Sequence, residues 1–345
     1  MKKKILLISL IVLFILVDIV FAYFFFFKKT EPLVSPQASQ PAESQFSFDI
    51  SPTPAPEGEF NILLLGRGDP AHEGSSLTDS LMVLHLETSN KTAALIFIPR
   101  DLWVGLKINE TYTKKGFEGV EQAVGFATGL SIQNAILVDF NGFTQIINIL
   151  GGVDVNVEKA FDDYYYPIAG KELDNCGKPN EELAEINAKL SGFELEKQYT
   201  CRYEHLYFDA GKTHMDGATA LKFARSRHSA QSGSDFARGG RQQAILFGVK
   251  DKLISLEALK NVDKLFGKMI KLVKTDLDLE TTKSIADLII NPKEYKISQI
   301  IPSEENILTP SKSPTGQFIL VPKAGDGNWD DFQEFITVFK KTPDF

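Results

Sequence analysis

The sequence lacks the catalytic patterns of several common enzyme classes. Its 345 residues contain no His-Glu-x-x-His zinc motif, no Gly-x-Ser-x-Gly nucleophile turn and no cysteine with a convincing histidine partner. Gly211-Lys212-Thr213 resembles the end of a phosphate-binding loop, but the earlier glycine of such a loop falls on Leu206. These absences exclude the corresponding hydrolase and nucleotide-binding readings.

Cysteine is scarce, with Cys176 and Cys201 the only two in the chain. One pair of cysteines fits an oxidising compartment, and we expect them to form a disulfide that stabilises the fold by about 3 kcal/mol. The alternative is a zinc site completed by His205 and His214. Their spacing matches no common zinc-finger pattern, which favours the disulfide.

Positive charge is also limited. The net charge is −8 at pH 7, and it becomes −12 without the first 29 residues, because that segment carries five Lys and one Asp. A protein that follows a nucleic-acid backbone needs a basic patch or stripe, and none is visible. The composition therefore argues against nucleic acid as a partner.

Arginine is rare and unevenly placed. Only seven of the 37 basic residues are Arg, and residues 242–345 contain fourteen Lys but no Arg. Five of the seven are Arg100, Arg225, Arg227, Arg238 and Arg241. A guanidinium presents a planar fork that grips two phosphate or carboxylate oxygens, whereas an ammonium is a point charge. Residues 225–243 therefore predict an anion-binding loop, with a structural arginine–carboxylate network as the alternative.

The N-terminus predicts a membrane anchor. Residues 1–4 form a basic cytoplasmic stub, and residues 5–27 are a mostly apolar stretch long enough to cross a bilayer as one transmembrane helix. Residues 28–58 are rich in Pro, Ser and Gln and predict an extended tether. We expect a single-pass membrane protein whose main domain is extracytoplasmic; a cleaved signal peptide is the alternative.

The remaining chain predicts an α/β fold, a three-layer α-β-α sandwich with a mixed central sheet. Apolar runs predict strands, and helical spacing predicts helices between them. The predicted strands are 61–65, 81–86, 92–98, 135–138, 153–157, 295–301 and 318–321, and the predicted helices are 120–128, 143–150, 216–224, one after residue 241 with helical spacing to about residue 290, and 329–339. The runs at 81–86 and 92–98 predict a hairpin, so the sheet cannot be all parallel.

We divide the extracytoplasmic part into two regions. Residues 59–290 form the main domain, with a charged, Tyr-rich, Cys-containing insertion at 158–207, and residues 291–345 supply C-terminal strands and a helix that pack on it or extend it.

Several carboxylates lie next to predicted strands. Asp69 follows the first strand, Asp79 precedes the second, and Asp101 follows the third. Loops at strand ends are where α/β proteins gather ligand-binding groups, although Asp is also a common turn or cap residue there. Together with the arginines, these carboxylates predict a divalent metal that bridges a bound phosphate.

A set of motifs resembles the LytR-CpsA-Psr family over about residues 60–290. The motifs are, in chain order, residues 61–66, Leu77-Thr78-Asp79, Ile98-Pro99-Arg100-Asp101, Lys107-Ile108-Asn109, residues 151–155, Met215-Asp216-Gly217 with Ala220-Leu221, Arg225-x-Arg227, and residues 235–242. Each motif alone is weak, but their occurrence in this order is specific.

The resemblance implies a membrane-anchored phosphotransferase that moves a glycan phosphate from a polyprenyl diphosphate carrier to peptidoglycan or another wall acceptor. It implies Mg²⁺ or Mn²⁺ as the cofactor, with Asp79 as a ligand, and Asp79, Arg100 and Asp101 as catalytic residues. By position, the diphosphate would be held by Arg100, Lys107, Arg225, Arg227, Arg238 and Gln242, with Arg241 close by. A polyprenyl diphosphate hydrolase and a non-catalytic lipid-phosphate scaffold or regulator are the alternative functions.

One residue departs from the family pattern. The family usually has Leu-Gly-x-Asp after the first strand, with that Asp at the metal, and the aligned residue here is Gly68. Asp69 is the candidate replacement, and the other expectation is that Asp79 holds the metal with water and phosphate oxygens.

Overall fold

The computed structural model describes residues 56–68, 76–229, 233–255, 268–278, 281 and 295–341. The predicted membrane helix, most of the tether and Asp69 lie outside the described residues. Among the residues that are described, no helix has both the length and the apolar character needed to cross a membrane. The chain divides into two units, which we call the sheet unit (residues 1–149 and 254–345) and the hairpin unit (residues 150–253).

Twelve strands and seven helices make up the described part of the chain. The strands are β1 Glu59–Arg67, β2 Thr78–Glu87, β3 Thr92–Phe97, β4 Asn134–Asp139, β5 Val153–Val157, β6 Phe161–Pro167, β7 Tyr203–Phe208, β8 Gly211–Met215, β9 Val273–Thr275, β10 Lys296–Ile300, β11 Leu308–Lys312 and β12 Phe318–Pro322. The helices are α1 Ile108–Thr128, α2 Phe140–Ile149, α3 Asn180–Lys189, α4 Gly192–Glu196, α5 Gly217–Arg225, α6 Asp235–Ile254 and α7 Asp330–Lys341, with short 3₁₀ turns at Thr200–Arg202 and Ile270–Leu272.

A mixed six-stranded sheet forms the centre of the sheet unit, in the order β10-β3-β2-β1-β4-β9. The predicted hairpin is present, since β2 pairs antiparallel with both β1 and β3, while β4 runs parallel to β1 and β10 parallel to β3. Leu63, Leu81 and Ile96 are fully buried on these inner strands, as expected for continuous apolar runs. The predicted mixed α/β fold is confirmed.

Helix α1 begins twelve residues before the predicted start at 120. Its first half is polar, so it gives little apolar periodicity, but a Glu110–Lys114 ion pair of 2.8 Å supports it on the surface. Gly116 interrupts the helix with φ 68°, a left-handed conformation that glycine adopts without strain. Gly129 then ends it with φ 72°.

The predicted helical stretch to about residue 290 is also wrong in part. Val273–Thr275 forms the edge strand β9, which pairs antiparallel with β4. The Thr275 hydroxyl donates to the Ala135 carbonyl at 2.7 Å. β-branched residues suit a pleated edge, and pairing with β4 overrides the helical spacing of the neighbouring segments.

Two antiparallel hairpins organise the hairpin unit: β5 pairs with β8, and β6 pairs with β7. The predicted disulfide between Cys176 and Cys201 is present, with a Cα–Cα distance of 5.6 Å. Asp216 caps α5 as predicted, because its carboxylate accepts a hydrogen bond from the Thr219 amide at 2.8 Å.

The arginine-rich segment is only partly a loop, which corrects the prediction. Arg225 ends α5, Arg227 lies in the connection, and Arg238, Arg241 and Gln242 lie on α6. The adjacent glycines at 239 and 240 suggest a break, since each costs about 1 kcal/mol relative to Ala in a helix. The helix nevertheless runs through them, because its face buries Arg238, Arg241 and Ile245 in the unit.

Candidate functional site

Four of the predicted site residues form a chain of alternating charges in the sheet unit. Arg100 donates through Nη1 to Asp79 Oδ1 at 2.8 Å, and its Nε lies 3.6 Å from Asp101 Oδ2. Lys107 Nζ contacts Asp101 Oδ1 at 2.6 Å. The structure therefore brings together Asp79, Arg100, Asp101 and Lys107.

The backbone around these residues is fixed by several long-range contacts. Leu102 N donates to Pro99 O at 3.0 Å and closes a turn after β3, while Leu320 N donates to Asp101 O at 2.9 Å and ties that turn to β12. The Thr78 hydroxyl, fully buried at the start of β2, donates to Asn109 O at 3.1 Å. These contacts hold the end of β3, the start of β2 and the start of α1 together.

The two carboxylates differ in their surroundings. Asp101 has a side chain only 9% exposed and is held between two cations, an arrangement that orients Arg100 and Lys107. Asp79 has a side chain 43% exposed and contacts Arg100 through one oxygen. Asp79 is thus the carboxylate of this group that is open to a ligand.

Asp79 fits Mg²⁺ as a single protein ligand. Mg²⁺ usually keeps several waters and binds one or two carboxylates together with substrate phosphates. Among the described residues, a group of three or more potential ligands occurs only at Asp174, Cys176 and Cys201, and the disulfide removes its thiols. Asp69, the other predicted metal ligand, lies outside the described part of the chain.

The second group of predicted residues lies in the hairpin unit, around the end of α5 and the start of α6. Arg241 donates from Nε to Phe223 O at 2.9 Å and from Nη2 to Ser226 O. Its guanidinium lies 5.0 Å from the centre of the Phe161 ring. Arg241 therefore holds the end of α5 against α6.

Arg238 and Arg241 place two buried positive charges on one face of α6. They are one helical turn apart and 3% and 6% exposed. Burial and the neighbouring charge of Arg238 lower the pKa of Arg241 to about 10, against the opposing effect of the Asp163 carboxylate. This face of α6 therefore carries two buried cations with the Asp163 carboxylate close to Arg241.

Asp163 is the residue that organises this group, and its role was not predicted from the sequence. Its fully buried carboxylate accepts from the Ser226 hydroxyl at 2.7 Å and from the amides of Arg227 and His228 at 3.0 and 3.2 Å. The Tyr165 amide adds a fourth hydrogen bond at 2.9 Å. Burial raises the pKa of Asp163, but these hydrogen bonds outweigh it and leave the pKa below its usual value.

Tyr166 lies on β6, as Asp163 does, and contacts Arg225 of α5. Its role was also not predicted from the sequence. Its hydroxyl accepts a hydrogen bond from Arg225 Nη1 at 3.3 Å, and the guanidinium lies 5.8 Å from the ring centre. Burial raises the pKa of Tyr166, so the hydroxyl stays neutral. In β6, Phe161 and Asp163 are buried at alternate positions, but a register shift between Asp163 and Tyr166 breaks the alternation and brings Tyr166 inward.

Fold and side chains together define an α/β protein with a mixed six-stranded sheet and clustered guanidinium groups. The chain belongs to the LytR_cpsA_psr family, whose model matches residues 22–312. This confirms the family resemblance seen in the motifs.

Curated relatives include both transferases and regulators by name. Polyisoprenyl-teichoic acid–peptidoglycan teichoic acid transferase TagV of Bacillus subtilis (strain 168) is 31% identical over 228 residues, 63% of this chain and 50% of TagV. The corresponding TagU of Enterococcus faecalis is 23% identical over 66% of this chain and 64% of TagU. Regulatory protein MsrR of Staphylococcus aureus (strain COL) is 26% identical over 64% of this chain and 57% of MsrR. The chain thus spans between half and two thirds of these relatives' lengths.

Solved structures show the same fold. The crystal structure of B. subtilis TagV matches with a TM-score of 0.55 and 25% identity, covering 84% of this chain and 96% of that one. TagT bound to LIIa-WTA matches with a TM-score of 0.53 and 20% identity, covering 83% of this chain and 90% of that one.

Proposed function

We propose that this protein is a phosphotransferase that moves a glycan phosphate from a polyprenyl diphosphate carrier to the cell wall. The observation that carries the proposal is the Asp79–Arg100–Asp101–Lys107 network, which draws on three of the family motifs. The relatives named as teichoic acid transferases support the reaction class.

The diphosphate is assigned to the guanidiniums and polar groups that match the family motifs. These are Arg100 and Lys107 in the sheet unit, and Arg225, Arg227, Arg238 and Gln242 in the hairpin unit, with Arg241 close by the latter. Arginine suits this role because its fork binds two phosphate oxygens at once. Since phosphoryl transfer depends mainly on positioning and charge neutralisation, such groups supply most of the catalysis.

The chemical step exchanges one bond to phosphorus for another. An acceptor hydroxyl of the wall attacks the phosphorus that carries the glycan, and the bond from that phosphorus to the oxygen of the prenyl phosphate breaks. The hydroxyl proton passes to a carboxylate, Asp101 or Asp79, and polyprenyl phosphate leaves. Asp101 keeps Arg100 and Lys107 in place during this exchange.

A divalent cation, Mg²⁺ or Mn²⁺, would neutralise the negative charge of the diphosphate when bound. Asp79 is the described residue that would hold it, with Asp69 as a second candidate from the sequence. The proposal also includes the three-layer arrangement and the N-terminal membrane helix at residues 5–27. It includes an extracytoplasmic location for the main domain, because a lipid-linked donor and a wall acceptor meet outside the membrane.

A regulatory role without turnover is the second candidate. It is favoured by the similarity to the protein named regulatory protein MsrR and by Gly68, which stands where the family pattern has an aspartate. A hydrolase, in which water replaces the wall hydroxyl, is the remaining alternative.

The test is a transfer assay with the full-length protein in detergent, a polyprenyl diphosphate sugar labelled in the sugar, and wall fragments, over a series of Mg²⁺ concentrations. We expect label on the wall, and we expect Asp79→Asn to reduce the rate about a hundredfold or more. Asp330→Asn makes the same chemical change at an exposed position of α7 and should leave the rate unchanged.

The three candidate functions give different products. Label on the wall supports the transferase, whereas free sugar phosphate as the main product in the presence of wall fragments supports the hydrolase. No turnover at any Mg²⁺ concentration, combined with retained binding of the lipid, supports the regulator and overturns the proposal.

A further inference from the structure

The β6–β7 hairpin has two aromatic faces, and only one of them is explained by packing. Its inner face is buried and contains Phe161 and Phe208, whose rings stack at 5.2 Å and also contact Phe223. These contacts form a core for the hairpin unit. The outer face is exposed, where polar residues are the usual occupants.

The outer face carries Tyr164, His205 and Tyr207. The Tyr164 and His205 rings are stacked, with centres 4.0 Å apart and planes 6° from parallel. Tyr164 is nevertheless 61% exposed and Tyr207 is 54% exposed. Because His205 covers one side of the Tyr164 ring, the exposed area of that ring is its edge and its opposite side.

Hydrogen-bonding groups lie beside these rings. His205 Nε2 lies 2.7 Å from Asp162 Oδ1, and the Tyr207 hydroxyl donates to Asp209 Oδ1 at 2.7 Å. Neither β6 (Phe-Asp-Asp-Tyr-Tyr-Tyr-Pro) nor β7 (Tyr-Glu-His-Leu-Tyr-Phe) contains a Lys or Arg. The face therefore combines open ring surface with carboxylate acceptors and carries no cation from its own strands.

We propose that this outer face binds an uncharged glycan chain. One side of a pyranose ring presents polarised C–H groups, which are attracted to the negative face of an aromatic ring. The hydroxyls at the sugar's edge can donate to the carboxylates of Asp162 and Asp209, and the imidazole of His205 adds a further polar group. An apolar surface with a few placed polar groups is the usual composition of a small-molecule site.

The charge of the face decides between possible occupants. Carboxylates without a neighbouring cation on either strand repel a polyanion and the headgroups of an anionic membrane. Cross-strand pairing is enough to explain why the Tyr164 and His205 rings are in contact, since such pairs stabilise a sheet. It does not account for Tyr207, whose ring is also exposed.

The identity of the glycan that this face binds in the cell depends on the proposed function. If the protein transfers a glycan phosphate to the wall, the bound sugars belong either to the wall acceptor or to the glycan of the donor. Binding of a soluble sugar itself does not depend on catalysis, so the two proposals can fail separately.

The test is isothermal titration of the full-length protein in detergent with chitotetraose, an uncharged chain of N-acetylhexosamines. We expect saturable binding, and we expect Tyr164→Ala and Tyr207→Ala each to weaken it about tenfold, the size expected for losing one stacked ring. Tyr164→Phe keeps the ring and should bind within about threefold of the unchanged protein. Phe318→Ala, which removes an equally exposed ring from β12, should have no effect.

Three further arms complete the experiment. Poly(glycerol phosphate) and vesicles containing anionic lipid should not compete for the site. In the transfer assay, Tyr164→Ala should reduce transfer to wall fragments but leave cleavage of the donor by water unchanged. That result identifies the wall as the source of the bound glycan. An equal loss of both activities identifies the glycan of the donor instead. The proposal is overturned if chitotetraose does not bind, or if Tyr164→Ala binds it as tightly as the unchanged protein does. It is also overturned if poly(glycerol phosphate) binds at this face and displaces chitotetraose.

Discussion

At the scale of single residues, arginine and lysine have separate tasks in this chain. Lysines pair with carboxylates along exposed helices, as Lys189 does with Glu185, and such pairs contribute little to stability. Arg100 bridges Asp79 and Asp101, and Arg238 and Arg241 are buried. An Arg-to-Lys change should therefore have very different effects at different sites.

Arg227→Lys should weaken donor binding by about 1.5 to 3 kcal/mol, because one charge-assisted phosphate contact loses its fork geometry. Arg227 is exposed, so the free energy of unfolding should change by less than about 0.5 kcal/mol. The measurement is the dissociation constant of the lipid diphosphate, together with the rate of transfer.

The control for this change is Arg202→Lys, the same swap at an arginine that stacks on Tyr199 and donates to the Asp174 carbonyl. It should leave donor binding unchanged. If both variants bind the donor as the unchanged protein does, the assignment of Arg227 to the diphosphate is wrong.

Asp163→Asn should destabilise the hairpin unit by about 1.5 to 3 kcal/mol at pH 7, because hydrogen bonds to a buried charge are lost or weakened. The folded-state pKa of Asp163 lies below the unfolded value near 3.8. Its ionisation therefore stabilises the fold above that pH, and the contribution is lost as the pH falls through the folded-state pKa.

Denaturant unfolding of Asp163→Asn and the unchanged protein between pH 7 and pH 2 measures this dependence. The difference in the free energy of unfolding should be largest near pH 7 and shrink below about pH 4. A difference that stays constant over this range would show that the ionised carboxylate has no special role.

At the scale of elements, the segment that contains α3 and α4 depends on the disulfide. Neither helix has a buried residue, so packing alone fixes the segment weakly. Cys176→Ser with Cys201→Ser should cost on the order of 3 kcal/mol by the chain-entropy model. Hydrogen exchange should rise mainly between residues 170 and 200, and should stay unchanged in the central sheet; a uniform rise throughout the chain would contradict this account.

The elements that sequence predicted well are those with a strong local pattern. Val153–Val157 alternates apolar and polar residues, and its strand was predicted to the residue. The first half of α1 and the edge strand β9 were missed, since one is polar and the other is three residues long. In both cases contacts distant in the chain fix the element.

The same limit applies to the candidate site. Arg100, Asp101 and Lys107 are close in the chain and carry a family motif, so their grouping could be predicted. Asp163 could not, because its partners Ser226, Arg227 and His228 lie more than sixty positions away. A buried aspartate in a Tyr-rich strand resembles a surface residue until the strand pairing is known.

At the scale of the whole molecule, each of the two units carries its own group of the residues that the proposed function uses. The sheet unit contributes Asp79, Arg100 and Lys107, and the hairpin unit contributes the remaining arginines. Each group is organised by its own contacts.

The most direct measurement is a structure of the protein with a non-hydrolysable polyprenyl diphosphate sugar and Mg²⁺. We predict that Arg100 donates hydrogen bonds to oxygens of the diphosphate, with Asp79 at the cation. A diphosphate bound away from Arg100, or a cation bound away from Asp79, would contradict the account.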